Sequence, residues 1–218
     1  MKKIVTLLSA ALMLLAGTSA FAQMSVGIGY VNSTDIVKIV KLGNDSKDSK
    51  TTGTAGNGFY AGISYTAPLA AGLSFTPGVY YEFLTANEVA SASVLNISGR
   101  ETEHYINIPL TFSYGTDLSS DFRLFVYAGP TASVGLASTT KVSADVVGIK
   151  VEGGTVNNYD NENYGRFDIM LGGGIGCEFR DNFRFTVGYD FGMLNRYTGS
   201  ADNSQHRNRL TAGIAFLF

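Results

Sequence analysis

Charged side chains that could pair inside a protein recur in segments that are otherwise apolar or small. Four of these side chains are carboxylates and four are guanidinium groups. A charge that is buried without a partner strongly destabilises the fold. We therefore predict that the eight groups neutralise one another in one interior network. Its members are Glu82, Asp168, Glu178 and Asp190, with Arg123, Arg166, Arg184 and Arg209.

The remaining reactive residues do not indicate a catalytic site. Neither His104 nor His206 has a serine and a carboxylate at the spacing of a nucleophile–base–acid set. Cys177 is the single cysteine, which excludes an internal disulfide, and no Cys/His cluster indicates a metal site. We expect no catalytic residue, cofactor or metal, and keep a small lipid-modifying enzyme as an alternative.

The segments that contain these charges alternate between apolar residues and small or polar ones, which is typical of β-strands. Eight such segments occur, and short and long polar connections separate them in turn. This order predicts an all-β fold, an eight-stranded antiparallel up-and-down transmembrane β-barrel with its short turns on one side. The segments are 24–30, 59–66, 73–83, 105–114, 122–131, 166–179, 183–192 and 209–218. The connections are 68–72, 115–121 and 180–182 (short) and 35–56, 85–101, 137–163 and 195–206 (long).

The two faces of each segment differ in a way that favours a membrane barrel over a soluble, lipocalin-like one. The charges fall on the Gly/Ser/Thr face, so the apolar face is the one free to contact lipid. Aromatic residues gather near the segment ends with aliphatic residues between them, which indicates two interfacial girdles. Pro77, Pro109 and Pro130 fall inside strands, and we expect bulges or wet rims there.

The N-terminus indicates export. Lys2 and Lys3 precede an apolar run that ends in Ala20-Phe21-Ala22, the pattern of a signal peptide cleaved after Ala22. We therefore expect a signal peptide at 1–22 and a single barrel domain at 23–218. The formal net charge of −2 for the whole chain does not favour nucleic-acid binding.

Several segments resemble a known family, the outer-membrane protein β-barrel domain family, whose members are called porin-like or PorT-like and are distantly similar to OmpX and the OmpA barrel. They are GFYAGISY, LSFTPGVYYEF, YINIPLTFSYG, FRLFVYAGPTAS, FDIMLGGGIGCEF, FRFTVGYDFGMLN and HRNRLTAGIAFLF, which span about Gly58 to Phe218. The resemblance implies the outer membrane of a Gram-negative bacterium, with both chain ends periplasmic, and little about activity. It also implies that Phe216 and the terminal Phe218 are a signal read by the barrel assembly machinery.

The expected function follows from the narrow interior of an eight-stranded barrel, which side chains can fill. We expect a non-enzymatic monomer surrounded by outer-membrane lipid and closed by its ion pairs. Its role is then structural, or consists of binding an extracellular protein or glycan through loops 35–56 and 137–163, where exposed strands could pair with a partner. The alternative is a narrow channel for ions or small solutes.

Overall fold

The computed structural model describes residues 23–42, 47–92, 95–146, 149–160, 164–197, 199 and 203–218. The signal peptide predicted at 1–22 lies outside them. The strands are β1 (Gln23–Leu42), β2 (Lys47–Ala70), β3 (Leu73–Ala92), β4 (Leu95–Ser119), β5 (Phe122–Val146), β6 (Ile149–Asn157), β7 (Phe167–Phe179), β8 (Phe183–Gly192) and β9 (Ser204–Leu217). A 3-10 turn, Asn158–Asp160, follows β6. No helix in the described part of the chain is long and apolar enough to cross a membrane.

Eight strands form a closed antiparallel ring, as the sequence predicted. Neighbours in the chain pair throughout, except that β5 pairs with β7 because β6 lies outside the ring. The ring closes where β1 pairs with β9, from Ser25 opposite Leu217 to Lys38 opposite Ser204. Closure leaves no strand edge within the barrel wall, which is the condition for a sheet to span a membrane.

The alternation of each strand places apolar side chains outside and polar ones inside. In β8, Phe185 and Val187 are exposed, whereas Arg184 and Asp190, at even-numbered positions of the same strand, point inward and are partly buried. Ile28 of β1 is 61% exposed, a high value for an isoleucine in the middle of a strand. The predicted assignment of the two faces is therefore confirmed.

Aromatic side chains pair across strands towards the two ends of this apolar surface. Phe59 and Phe83 have ring centroids 5.4 Å apart at the end of the barrel with the long hairpins. Phe75 and Phe112, at 4.9 Å, lie near the end with the short turns. These pairs mark the two boundaries of an aliphatic band, as expected for interfacial girdles.

The prolines leave the strand register unchanged, so the prediction of a bulge at these positions is wrong. Pro77 lies opposite Leu110, and the same register resumes beyond it at Tyr80 opposite Asn107. Pro109 likewise keeps its register with β5. A proline removes one ladder donor, and the closed ring holds the neighbouring pairs in place around that gap.

Three hairpins continue as paired strands far beyond the apolar band. The β1–β2 hairpin is paired up to Leu42 opposite Lys47, and β3–β4 up to Ala92 opposite Leu95. The third pairs β5 with β6 up to Val146 opposite Ile149. Loops 35–56, 85–101 and the first part of 137–163 are thus largely extensions of strands.

Candidate functional site: the charged interior

Four charged side chains form a central cluster inside the ring. Glu82 of β3 accepts from two arginines of β9: one oxygen pairs with Arg207 and the other with Nη1 of Arg209, at 2.9 Å. Nη2 of Arg209 also lies 2.7 Å from Oδ2 of Asp190 in β8. Nδ2 of Asn107 donates to the same Glu82 carboxylate at 2.8 Å. The cluster connects β3, β4, β8 and β9 across the interior.

The central cluster is almost fully removed from solvent. Glu82 and Arg207 are both 0% exposed. The Arg207 guanidinium lies over the Tyr105 ring, 3.7 Å from its centroid, and donates through Nε to Ser33 at 2.9 Å. Both arginines pair with the one carboxylate of Glu82, which offsets part of the positive charge of each. Removal of the Glu82 charge would therefore destabilise the whole cluster.

A second cluster lies at the mouth of the barrel, on the side of the long hairpins. Arg196, which follows β8, donates through Nη2 to the hydroxyls of Tyr105 and Tyr164, at 2.9 and 2.8 Å. It also lies 3.5 Å from Asp35 and 3.8 Å from Glu103. Arg196 is only 2% exposed, so this group closes the interior from above.

A third cluster closes the opposite end, near the short turns. Arg184 of β8 makes a 2.6 Å ion pair with Glu178 of β7 and donates to Thr66 of β2 at 3.0 Å. Arg123 of β5 lies 3.9 Å from the same glutamate and donates to the carbonyl of Gly72 at 3.2 Å. The contacts connect β2, β5, β7 and β8 at the rim.

Between the central cluster and the lower cluster lies a chamber of about 150 Å³. Its wall includes the side chains of Tyr60, Tyr127 and Asn107. The Asn107 side chain is 1% exposed, and its Oδ1 has no protein partner among the described residues. A buried polar atom of this kind is usually satisfied by water, and the chamber has room for several molecules.

Glycines of the ring give the tyrosine rings their space. A Cβ at Gly188 would lie 2.1 Å from the Tyr127 hydroxyl, and one at Gly174 would lie 2.7 Å from it. A Cβ at Gly213 would lie 2.0 Å from the hydroxyl of Tyr60. Glycines of β7, β8 and β9 therefore leave the interior space that the rings of Tyr127 and Tyr60 occupy.

The predicted network is divided among these clusters. Glu82, Asp190 and Arg209 belong to the central one, and Arg123, Glu178 and Arg184 to the lower one. Asp168 is 3% exposed and accepts from the backbone N–H of Leu194 at 3.2 Å, without an ion pair among the described side chains. Arg166 contradicts the prediction. It is exposed and lies over the Tyr159 ring, 4.3 Å from its centroid, because β7 begins at Phe167 and alternation does not extend to it.

The sequence pattern did not reveal the charged interior residues that lie beyond the predicted ends of the strands or outside every strand. Arg207 shares the inward face of β9 with Arg209, but the predicted strand began at 209 and β9 begins at Ser204. Glu103 likewise shares the face of Tyr105 beyond the predicted start of its strand. Longer strands would have revealed both. Arg196 lies outside every strand, so no periodic signal could have found it.

The mouth contains more carboxylates than cations. Asp35, Glu101 and Glu103 face one arginine, Arg196, and Nδ2 of Asn158 donates to Glu101 at 2.7 Å. Burial, followed by the charges of Glu103 and Asp35, raises the pKa of Glu101 to about 7. Burial also raises the pKa of Asp35. Glu101 is therefore only partly ionised near neutral pH.

This shift predicts a pH-dependent stability. The ordinary pKa of Glu101 is 4.5, so the folded state holds its proton more tightly than the unfolded chain. The favourable contribution is complete below about pH 4.5 and is lost as the pH rises to about 7. In urea unfolding followed by circular dichroism, the Glu101→Gln variant should therefore lose less stability than the wild type between pH 5 and pH 8. Parallel pH profiles for the two proteins would contradict the assignment.

The aromatic residues at the C-terminus complete the closure of the ring. Phe216 packs against Phe183 with ring centroids 5.6 Å apart. The backbone N–H of Phe218 donates to Met24 at 2.9 Å, and the N–H of Met24 donates back at 3.2 Å. Both phenylalanine side chains are exposed on the outer surface. Recognition by the assembly machinery stays a prediction.

A closed eight-stranded ring with a polar interior and an apolar exterior is the architecture that the family comparison then identifies. The model of the family described as "Outer membrane protein beta-barrel domain" matches residues 21–197. The chain belongs to this family. Its location in the outer membrane follows, and the apolar outer band is the surface that contacts lipid.

Several solved barrels are similar to this outer-membrane barrel. The attachment invasion locus protein Ail of Yersinia pestis is 16% identical, with 90% of this chain and 99% of Ail covered and a TM-score of 0.34. Neisserial surface protein A is 17% identical, with 89% and 97% covered and a TM-score of 0.40. OprG of Pseudomonas aeruginosa is 13% identical, with 90% and 96% covered and a TM-score of 0.42. No curated protein sequence matches the chain. The family assignment rests on the family model.

Proposed function

We propose that this outer-membrane barrel is a non-enzymatic, closed scaffold that presents its long hairpins to an extracellular partner. The observation on which this depends is the length of those hairpins, whose strand pairing continues well beyond the lipid-facing band. Ordered strands above the membrane provide backbone donors and acceptors in fixed positions. Such a surface binds an extended protein segment by strand addition.

The strand β6 is the part of this surface best suited to strand addition. It pairs along one side with β5, from Val146 opposite Ile149 to Thr139 opposite Asn157. It is not a member of the ring, and among the described strands none pairs with its other side. Val156 in β6 is 58% exposed, an apolar position beside that edge. A partner strand along β6 would bury this side chain and extend the sheet.

Shortening the third hairpin tests the proposal. Deleting residues 143–152 joins Val142 to Gly153, and the remaining pair, Lys141 opposite Thr155, closes a short glycine-containing turn. Cells that display the wild-type barrel should adhere to a protein-coated surface, and cells with the deletion should adhere several-fold less. Heat-modifiable gel mobility must be the same in both, since the deletion leaves the ring intact. Unchanged adhesion would contradict the proposed role of β6.

A narrow channel is the second candidate, and the polar chamber below the central cluster favours it. The chamber is polar and large enough for water, but Glu82 and Arg207 lie across the interior above it and Arg184 with Glu178 below it. We propose that these clusters keep the path closed. Planar-bilayer recordings of the wild-type protein should therefore show no large steady conductance, and a stable open level would favour the channel.

The absence of catalysis is also part of the proposal. His104 lies at the outer rim of β4, where its Nδ1 hydrogen-bonds the Tyr81 hydroxyl and its ring packs edge-on against Phe83 at 5.3 Å. These contacts are those of a packed rim residue. Among the described residues, no group of His, Cys, Asp and Glu could hold a metal ion. A lipid deacylation assay with His104→Ala as the comparison tests the enzyme alternative directly.

A further inference from the structure

The outer face of the extended β4–β5 sheet contains a pair of cations directly opposite each other. Arg100 of β4 and Lys141 of β5 are register partners, and both are exposed. Side chains in such a pair have Cβ atoms about 4.5–5.5 Å apart, and like charges at this separation destabilise the sheet. Neither cation makes an ion pair among the described side chains, and Nε of Arg100 donates a hydrogen bond to Oδ1 of Asn87 at 3.2 Å.

A register shift brings the two cations to the same side of the sheet. Along β4, Arg100 shares its face with Ile106 and Ile108, which point towards lipid. In β5 the lipid-facing residues of the barrel wall are even-numbered, so Lys141 would point inward without a correction. The register between β4 and β5 shifts by one residue between the pair Tyr105–Gly135 and the pair His104–Ala137, so the inward and outward positions of β5 exchange there. The extra residue turns Lys141 outward, beside Arg100.

The position of the pair relative to the membrane is set by the aromatic boundary below it. Phe83 and His104 pack together at that boundary, and Arg100 lies four residues further along β4. At about 3.3 Å per residue this is about 13 Å along the strand. A tilt of about 45° brings it to about 9 Å above the hydrocarbon. The polar headgroup layer is about 5–8 Å thick on each side, so the cations lie at its outer edge.

The side chains between the boundary and the cations are hydroxylic. Thr85 of β3, Thr102 of β4 and Thr139 of β5 are register neighbours on this outer face. With increasing distance from the membrane, the side chains on this outer face are therefore first aromatic, then hydroxylic and then cationic. The face is continuous with the lipid-facing band. This order matches a phosphorylated glycolipid, whose acyl chains, sugar hydroxyls and phosphate follow in the same sequence.

We propose that Arg100 and Lys141 bind a phosphate group of an outer-leaflet glycolipid, with its sugar against the threonine face and its acyl chains along the barrel wall. The phosphate offsets the repulsion between the two cations and forms charge-assisted hydrogen bonds to both. The site is on the outer face, so it is separate from the interior clusters, and it adjoins β6 through Lys141, which is the register partner of Thr155.

The experiment measures binding of a phosphorylated lipid A to the full mature protein in detergent micelles. Two exposed cations near a lipid surface contribute about thirtyfold in affinity together. The double variant Arg100→Gln with Lys141→Gln should therefore bind the lipid about thirtyfold more weakly than the wild type. Lys38→Gln is the matched control, because Lys38 is an exposed cation on the outer part of β1. It should leave the affinity unchanged.

Two further arms identify the chemistry of the ligand. Lipid A with the same acyl chains but no phosphate should bind the wild type as weakly as the phosphorylated lipid binds the double variant. Inorganic phosphate at matched ionic strength should not displace the lipid. The proposal is overturned if the dephosphorylated lipid binds equally well, if inorganic phosphate competes effectively, or if Lys38→Gln weakens binding as much as the double variant. Unchanged gel mobility verifies that every variant is folded.

Discussion

Replacing Glu82 with glutamine is expected to lower the free energy of unfolding by about 3–5 kcal/mol. Glutamine keeps the shape of the side chain, so the change removes charge without leaving a cavity. Arg207 would then remain 0% exposed without its carboxylate, and Arg209 would keep only Asp190. The measurement is urea unfolding in lipid vesicles followed by circular dichroism, since the chain has no tryptophan for fluorescence.

A matched change at the rim separates the effect of burial from that of charge. Asp117 lies 3.9 Å from Arg123, but its side chain is 79% exposed. Asp117→Asn should therefore change stability by less than about 0.5 kcal/mol. The double variant Glu82→Gln with Arg207→Gln should lose much less than the sum of the two single changes, because each removes the partner of the other. A Glu82→Gln variant within about 1 kcal/mol of wild type would contradict the central cluster.

Replacing Val187 with arginine is expected to destabilise the barrel by about 2–4 kcal/mol in a lipid bilayer. Val187 lies in the middle of β8 and is 52% exposed on the outer wall. The charge would therefore lie in the hydrocarbon, near its centre. The same unfolding measurement in vesicles detects the loss, and vesicles of thicker bilayers should increase it, because the arginine then has further to reach towards water.

An equally exposed valine above the membrane provides the control. Val156 of β6 is 58% exposed and lies outside the ring. Val156→Arg should change stability by less than about 0.5 kcal/mol, as an ordinary surface substitution does. If both arginine variants were equally stable, the outer wall at Val187 would face water, and the assignment of the two faces would be wrong.

The two predictions concern the two environments on either side of the barrel wall, the polar interior and the surrounding hydrocarbon. Substitutions in one should leave the other intact, since Glu82 and Val187 lie on opposite faces of the wall. Their effects should therefore add when the changes are combined, to within about 0.5 kcal/mol. This arrangement also explains how the interior can hold many charges, because the ring shields them from lipid and most of them have a charged or hydrogen-bonding partner inside the ring.

The amino-acid sequence by itself determined the eight strands of the ring, its closure and the assignment of faces, whereas the ninth strand, β6, was not predicted. Period-two alternation depends only on the local geometry of an extended chain, so it is readable without any contact. The alternation in β8 between Phe185 or Val187 and Arg184 or Thr186 is enough to fix which face is apolar. Membership of an outer-membrane family was likewise carried by the strand segments themselves.

Only the tertiary structure decided which charges meet. Arg207 and Glu82 are 125 residues apart, and they pair because closure of the ring brings β9 across from β3. Arg196 enters the mouth cluster from a segment without periodicity, and Arg166 leaves the interior because β7 begins one residue after it. Pairing across a barrel depends on the register of all eight strands together. A local pattern gives the face of a side chain, and closure of the ring gives its partner.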